Sequence, residues 1–317
     1  MQNDKLREVA IVGTGLVGCG WAIVYALGGA RVRLFDANLA GLEAARGRIE
    51  NSLRDMQLAG LVTDIERPLA AITNANSLAA AVEGVDYVQE SVFERIDIKT
   101  EVASQIGALI APETVVGSSS SGIPASAFTE AAPRRNRFLV VHPVNPPHLV
   151  PVVELVPAPW TDPEIVPWLR NCLTACGQMP VEVRREVDGF ILNRLQGALL
   201  NEAWALYEEG YASIADIDAT VSQGLGLRWA FMGPFETIDL NAPGGVADYA
   251  QRLGPLYHAI AQSRREPRPW SPALIEKVAA ERRAALPQSE LPARSEWRNR
   301  RLMQLVAHLR RQQDDAS

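Results

Sequence analysis

Residues 9–27 read "VAIVGTGLVGCGWAIVYAL", and they decide the fold. An apolar run ends at Gly13, glycines recur at positions 15 and 18, and an apolar stretch long enough for a helix follows directly. A G-x-G-x-x-G triplet set between a strand and a helix is the pattern of a dinucleotide-binding βαβ unit. Gly13 permits the tight turn, Gly15 lets backbone approach a pyrophosphate, and Gly18 lets helix and strand pack closely. Gly13, Gly15, Leu16, Val17 and Gly18 would therefore cradle the phosphates at a helix N-terminus, whose unpaired N–H groups and positive dipole end favour an anion. The next apolar run, "RVRLFD", ends in Asp36, eighteen residues beyond Gly18. A carboxylate there accepts hydrogen bonds from the adenosine ribose and repels a 2′-phosphate, and no arginine follows it immediately, so NAD is the expected cofactor rather than NADP.

Working outward, the first half alternates short β-rich runs with longer helical patterns. After the two strands already named come "VDYVQES", "TVVGSS", "RFLVVH", "VPVVELV" and "MPVEVRR". Such alternation predicts an α/β, Rossmann-type, doubly wound and mainly parallel sheet. Residues 38–60 form a long helical pattern with Asn38 as N-cap, longer than a crossover needs, and are expected to project from the sheet. After "EVDGFILNR" strand signals stop and helical periodicity continues to the end, through an Arg- and Pro-rich connection at 263–296 and a basic last helix. The expected organisation is a dinucleotide-binding domain over 1–188 and an all-α C-terminal domain over 189–317 for substrate binding and dimerisation.

Composition narrows the function. Across 317 residues, 47% are hydrophobic and 21% charged, ordinary for a globular chain with a buried core, and the net charge is −6. A negative chain lacks the positive field that nucleic acid or an anionic membrane requires, so a small molecule is the expected partner. The three cysteines, Cys19, Cys172 and Cys176, make no disulfide framework and fit a reducing compartment. Cys172 and Cys176 have no second Cys/His pair at zinc spacing, so they read as core thiols and no metal is expected. The N-terminal "MQNDKLRE" has no apolar signal region, and no segment is apolar enough to span a bilayer; a cytoplasmic location is expected.

Residues 138–156, "FLVVHPVNPPHLVPVVELV", hold an oddity: Glu154 in the middle of an apolar run. An isolated carboxylate there is costly, so Glu154 needs a hydrogen-bonding partner or a raised pKa. His142, which closes the preceding apolar run, is the nearest candidate along the chain. His148, in the Pro-rich loop between them, reads as a surface histidine beside the proposed site.

Taken together, "GTGLVG", "DYVQESVFERIDIK", "SSSSGIP", "HPVNPPHLVPVVELVP" and "VDGFILNRLQGALLNEAWALYEEG" resemble the L-3-hydroxyacyl-CoA dehydrogenase superfamily. "HPVNPP", "ELVP", "LNRLQ", "EAW" and "GLGLRWAFMGPFET" resemble its lambda-crystallin and L-gulonate 3-dehydrogenase branch. The resemblance implies NAD-dependent oxidation of a hydroxyl β to a carboxyl or thioester, in a homodimer built mainly by the helical domain. It places the catalytic histidine at His142, its partner glutamate at Glu154, the substrate-binding serine at Ser121 and the asparagine of the "NR" motif at Asn193. On the cofactor side it points to Asp36, Glu94 and Lys99.

The chemistry expected is alcohol oxidation with His142 as general base, Glu154 fixing its tautomer, and Ser121 and Asn193 holding the reacting oxygen. The expected substrate is a small free L-3-hydroxy acid of the L-gulonate kind, with Arg228 as a bidentate clamp for its carboxylate, or else paired with an acid within the helical domain or across a dimer interface. An acyl-CoA thioester or an L-carnitine-like acid is the alternative, with Trp229 and Phe231 as candidates to cage a quaternary ammonium. A non-enzymatic, crystallin-like binding protein is the remaining one, and retention of the full acid/base set argues against it.

Overall fold

The structure, a computed structural model, describes residues 5–264, 266 and 268–314. Eight strands form one sheet: β1 Glu8–Val12, β2 Arg31–Phe35, β3 Ile72–Asn74, β4 Tyr87–Glu90, β5 Val115–Ser118, β6 Phe138–Pro143, β7 Val152–Pro157 and β8 Met179–Glu182. Their order is β3-β2-β1-β4-β5-β6-β7-β8, so the chain runs outward to one edge, returns to the centre, and continues to the other edge. Every neighbouring pair is parallel except β6 and β7, which are antiparallel. The doubly wound arrangement places a crevice beyond the C-terminal ends of β1 and β4, where dinucleotides bind in such sheets.

Both faces of the sheet are covered, and the strand sequences say why. Along β1, Val9 and Ile11 pack into one core while Ala10 and Val12 pack into another on the opposite face. Period-two alternation between two apolar layers makes a strand read as an unbroken hydrophobic run. The same alternation in β6 sends Leu139 and Val141 one way and Phe138 and Val140 the other. The main helices of the sheet unit are α1 Leu16–Leu27, α2 Leu39–Leu58, α3 Ile96–Leu109 and α4 Ile165–Ala175.

Helix α2 begins as expected, with the Asn38 side chain accepting from the Gly41 amide. It does not project from the sheet. Leu42, Ala45, Ile49, Leu53 and Met56 are buried in the core that also holds α1 residues Trp21 and Tyr25, so the helix lies along the domain. The spacing of those five residues at three, four, four and three is a core-facing stripe, which outweighs the argument from length. Strand β3 is three residues long, too short to register in the sequence as an alternating run.

The chain divides into two compact units, Met1–Gln196 with Trp297–Ser317, and Gly197–Glu296. The first unit thus takes in the opening turn of helix α5 (Leu192–Glu208) and the end of the chain, both of which the sequence reading gave to the helical domain. Glu154 accepts hydrogen bonds from the first amides of α5, and Met303 is buried in the sheet's core, which explains both assignments. The second unit is helical, with α6 Gly245–Ser263 and α7 Pro272–Ala285 as its longer members. Within it Trp204 stacks on Trp270 at 4.3 Å, and Arg264 bridges Glu202 and Glu209. Helix α8 (Leu291–Asp314) closes the described chain. Among the described residues no helix is long and apolar enough to cross a membrane, and no group of three or more His, Cys, Asp or Glu side chains could hold a metal ion.

Candidate active site

The antiparallel register of β6 and β7 sets His142 directly opposite Glu154. Because residues two apart share a face, both side chains point to the side on which Val140 and Val156 lie, and they meet. His142 Nδ1 is 2.7 Å from Glu154 Oε2, and both residues are buried. Glu154 Oε1 accepts from the amides of Ile191 at 2.7 Å and Leu192 at 3.0 Å, at the N-terminus of α5. Burial pushes the Glu154 carboxyl up, but the bond to His142 and the two amides outweigh it and hold the group below its ordinary value. The carboxylate is therefore ionised and can only accept, so Nδ1 is the nitrogen that carries the proton of this bond, and the neutral tautomer this selects has its lone pair on Nε2. The Phe190 ring stands 5.7 Å from the imidazole.

Four more of the expected site residues, Asn193, Ser121, Glu94 and Lys99, lie in one chain of contacts. Asn193 Nδ2 donates to the Ser121 carbonyl in a short hydrogen bond. Glu94 Oε1 accepts from the amides of Ser121 at 2.8 Å and Gly122 at 3.1 Å and from Ser120 Oγ at 2.8 Å, and Glu94 Oε2 lies 3.4 Å from Lys99 Nζ. Burial raises the Glu94 pKa, and Lys99 and the serine-turn donors more than reverse this, leaving it lowered. Lys99 is itself buried, with Nζ 3.1 Å from both oxygens of Glu90 and 3.4 Å from Ser118 Oγ. The four serines thus have distinct fates: Ser118 and Ser120 are tied inward, Ser119 faces α1, and the Ser121 side chain is exposed. Arg228 is exposed on a short helix, Gly226–Trp229, in the second unit.

The glycine turn fits a dinucleotide. Gly13 has φ +97°, and a Cβ there would lie 2.5 Å from the Ser91 carbonyl oxygen; one on Gly18 would lie 1.9 Å from the Gly13 oxygen. A Cβ on Gly15 would meet nothing within 4 Å, so that backbone is open, and α1 begins there without a side-chain cap on its first amides. Asp36 Oδ2 accepts from the Thr14 amide at 2.7 Å and hydroxyl at 3.0 Å, while Oδ1 accepts from the Asn38 amide at 2.9 Å. The carboxylate is fixed at the end of β2 with acceptor capacity to spare.

Two participants escaped the sequence reading. Arg48 of α2 donates to the Thr14 carbonyl at 2.8 Å and the Gly41 carbonyl at 2.9 Å, latching the glycine turn to α2; no spacing rule points to it. Glu90 had a signal related to that of Glu154, an acid in a buried strand, at the end of β4 rather than within it. His148 corrects an expectation: it is not a free surface side chain, because burial lowers its pKa to about 4 and its Nδ1 is buried beside Gly20 of α1 with no hydrogen-bond partner.

Comparison with known proteins gives the family. Residues 8–187 match the family model described as 3-hydroxyacyl-CoA dehydrogenase, NAD binding domain, and residues 189–286 match 3-hydroxyacyl-CoA dehydrogenase, C-terminal domain. Lambda-crystallin of Oryctolagus cuniculus is 40% identical over 98% of this chain and 99% of its own length. An L-carnitine dehydrogenase of Streptomyces griseus subsp. griseus is 36% identical over 80% of this chain and 75% of its own. Among solved structures, the FHMPC 5-dehydrogenase described as an NAD+-dependent dismutase superposes with TM-score 0.80 at 28% identity, covering 96% of this chain and 98% of that one. With both halves matched in order around an intact glycine turn, the chain belongs to the 3-hydroxyacyl-CoA dehydrogenase family.

Proposed function

We propose that this NAD-dependent dehydrogenase oxidises the 3-hydroxyl of a small free L-3-hydroxy acid, of the L-gulonate kind, to the 3-keto acid. The observation that carries the chemistry is the His142–Glu154 pair at 2.7 Å, whose second carboxylate oxygen accepts from the amides of Ile191 and Leu192 where α5 begins. His142 Nε2 takes the hydroxyl proton as the alcohol is oxidised, and Glu154 stabilises the imidazolium that forms. Bound NAD supplies the hydride acceptor. In the reverse direction the imidazolium returns its proton to the carbonyl oxygen. Ser121 and Asn193 hold the reacting oxygen, Gly13 to Gly18 and Asp36 hold the cofactor, and the Glu90–Lys99–Glu94 cluster fixes the serine turn that Ser121 ends. In this reading 1–188 serves the cofactor and 189–317 serves the substrate and a homodimer.

The free-acid assignment rests on the L-gulonate 3-dehydrogenase resemblance over nearly the whole chain, and on Arg228 as a carboxylate ligand that a neutral thioester cannot use. The homodimer is supported by exposed apolar side chains in the second unit, among them Leu227, Phe231, Phe235, Leu240 and Leu256. A thioester substrate is the second reading, favoured by the family description that both halves match. The deciding experiment is NADH production from a panel of free 3-hydroxy acids, L-carnitine and 3-hydroxyacyl-CoA thioesters. The free-acid reading predicts the highest kcat/KM for a free acid and a raised KM for it in Arg228→Met; a thioester that outperforms every free acid overturns it.

A further inference from the structure

The buried polar chain behind the dinucleotide crevice has a direction. Tyr25 and Tyr87 each place a phenolic oxygen on Gln89 Oε1, at 2.9 and 2.7 Å, in a fully buried setting. Gln89 Nε2 lies 2.8 Å from Ser119 Oγ, Trp21 Nε1 lies 3.1 Å from the same oxygen, and Ser91 Oγ lies 2.8 Å from it. With the Gln89 amide reversed, the phenols would face N–H groups and at least one buried phenolic proton would have no acceptor, so the orientation is fixed. An indole N–H and an amide N–H can only donate, and a hydroxyl accepts through two lone pairs. Trp21 and Gln89 therefore fill both lone pairs of Ser119, whose own proton must go to Ser91. Ser91 then accepts from within and has one proton of its own, with no second side-chain partner among the described residues.

Ser91 stands where that proton is useful. It follows β4 directly, its amide donates to Val12 at 2.7 Å, and its carbonyl oxygen packs against Gly13. In the strand order β2-β1-β4, Asp36 ends β2 on one side of the glycine turn, so the end of β4 lies on the side opposite the adenosine ribose. We propose that Ser91 is a cofactor ligand, a hydrogen-bond donor held outward by the Trp21/Gln89–Ser119 relay and directed at an oxygen of the nicotinamide-ribose half of the dinucleotide. Trp21, Gln89 and Ser119 are positioning residues that act through it. The inference rests on the dinucleotide occupying the glycine-turn crevice.

Equilibrium binding, read from NADH fluorescence and by calorimetry with ADP-ribose, tests it without turnover. Ser91→Ala should raise the NADH Kd about fivefold, the worth of one hydrogen bond, and leave the ADP-ribose Kd unchanged. Trp21→Phe frees a lone pair on Ser119 that can draw the Ser91 proton inward, so it should weaken NADH about twofold to threefold and spare ADP-ribose. Tyr25→Phe removes one of two donors to Gln89 Oε1 and should change neither. If Ser91→Ala does not fold, Ser91→Cys, with its weak donor, gives the same comparison. An unchanged NADH Kd in Ser91→Ala, equal weakening of both ligands, or equal effects of Trp21→Phe and Tyr25→Phe overturns the relay. Failure of the wild-type protein to bind NADH overturns the crevice assignment itself.

Discussion

Replacing Glu154 by glutamine changes one charge and almost no volume, and the surrounding geometry dictates the outcome. The carboxylate uses one oxygen for His142 Nδ1 at 2.7 Å and the other for the amides of Ile191 and Leu192. A glutamine has one acceptor to divide between these duties. Turned so that its NH₂ faces the α5 amides, it strands two buried backbone donors at roughly 1–3 kcal/mol each. Turned the other way it keeps both amides and points NH₂ at Nδ1, which must then accept. The second arrangement wins, and it moves the imidazole proton to Nε2, the atom proposed to take the substrate proton. Turnover should fall roughly 10²- to 10⁴-fold, the range for a disabled general base, while NADH affinity stays unchanged.

Steady-state kinetics at saturating cofactor measure the loss, and ¹⁵N NMR of the histidine ring reports the tautomer independently of activity. Stability adds a check of sign. Glu154 is held below its ordinary value, so its contribution is present above the unfolded carboxylate pKa and lost as pH falls through the folded one; Glu154→Gln should lose stability near neutrality and flatten the acid limb of the profile. Wild-type kcat together with an unchanged Nδ1–H tautomer would refute the reasoning.

Three further outcomes follow from the same contacts. Asp36→Ala should lower the NAD over NADP preference in kcat/KM roughly tenfold, equivalent to removing about 1.4 kcal/mol of like-charge repulsion, and a thermal scan should show the modest loss expected when Thr14 loses its acceptor. Lys99→Met leaves Glu90 buried without its cation and should destabilise the fold by roughly 3–5 kcal/mol in urea titration, with Lys99→Met/Glu90→Gln recovering part; equal stability of the single and double variants counts against a charge effect. His148 has its pKa lowered by burial from 6.5 to about 4, so the unfolded chain binds the proton first and stability should decline as pH falls from about 6.5 to about 4; His148→Phe should remove that slope.

What the sequence made legible was local. Gly13, Gly15 and Gly18 carry their reasons in their spacing, because a turn, an open backbone and a close packing each forbid a side chain at a fixed offset. Asn38 could be read as a cap because capping is a contact across three residues. Glu154 announced itself as an acid among apolar neighbours, and proximity along the chain with the family resemblance named His142 as its partner, but the contact itself depends on the antiparallel register of β6 and β7, which spacing alone does not fix. Lys99 was assigned toward the cofactor by resemblance, whereas its buried ion pair with Glu90 spans β4 and α3, a contact that periodicity cannot report. The same limit hid Arg48, whereas the course of α2 was written in its own apolar stripe, which the argument from length overrode.

The turn between Asp188 and α5 shows how such a long-range contact is nonetheless built from local chemistry. Gly189 at φ +74° and Phe190 at φ +52° are both left-handed, and only the first is a glycine. Two successive residues of that hand reverse the chain sharply enough for the next two amides, Ile191 and Leu192, to face back onto Glu154. For Phe190 the conformation costs on the order of 1–3 kcal/mol. Full burial of its ring beside His142, worth roughly 1.5–3 kcal/mol, and two amides donating to a charge offset that cost. The strain is thus held at the point where the helix N-terminus meets the carboxylate. Phe190→Gly would relieve the backbone but remove the ring, releasing the imidazole's packing partner and the restraint on the first turn of α5 together. A single residue at an unfavourable dihedral angle couples the helix to the acid/base pair, and the two amides it aims at Glu154 join the bond to His142 in holding the carboxyl below its ordinary value.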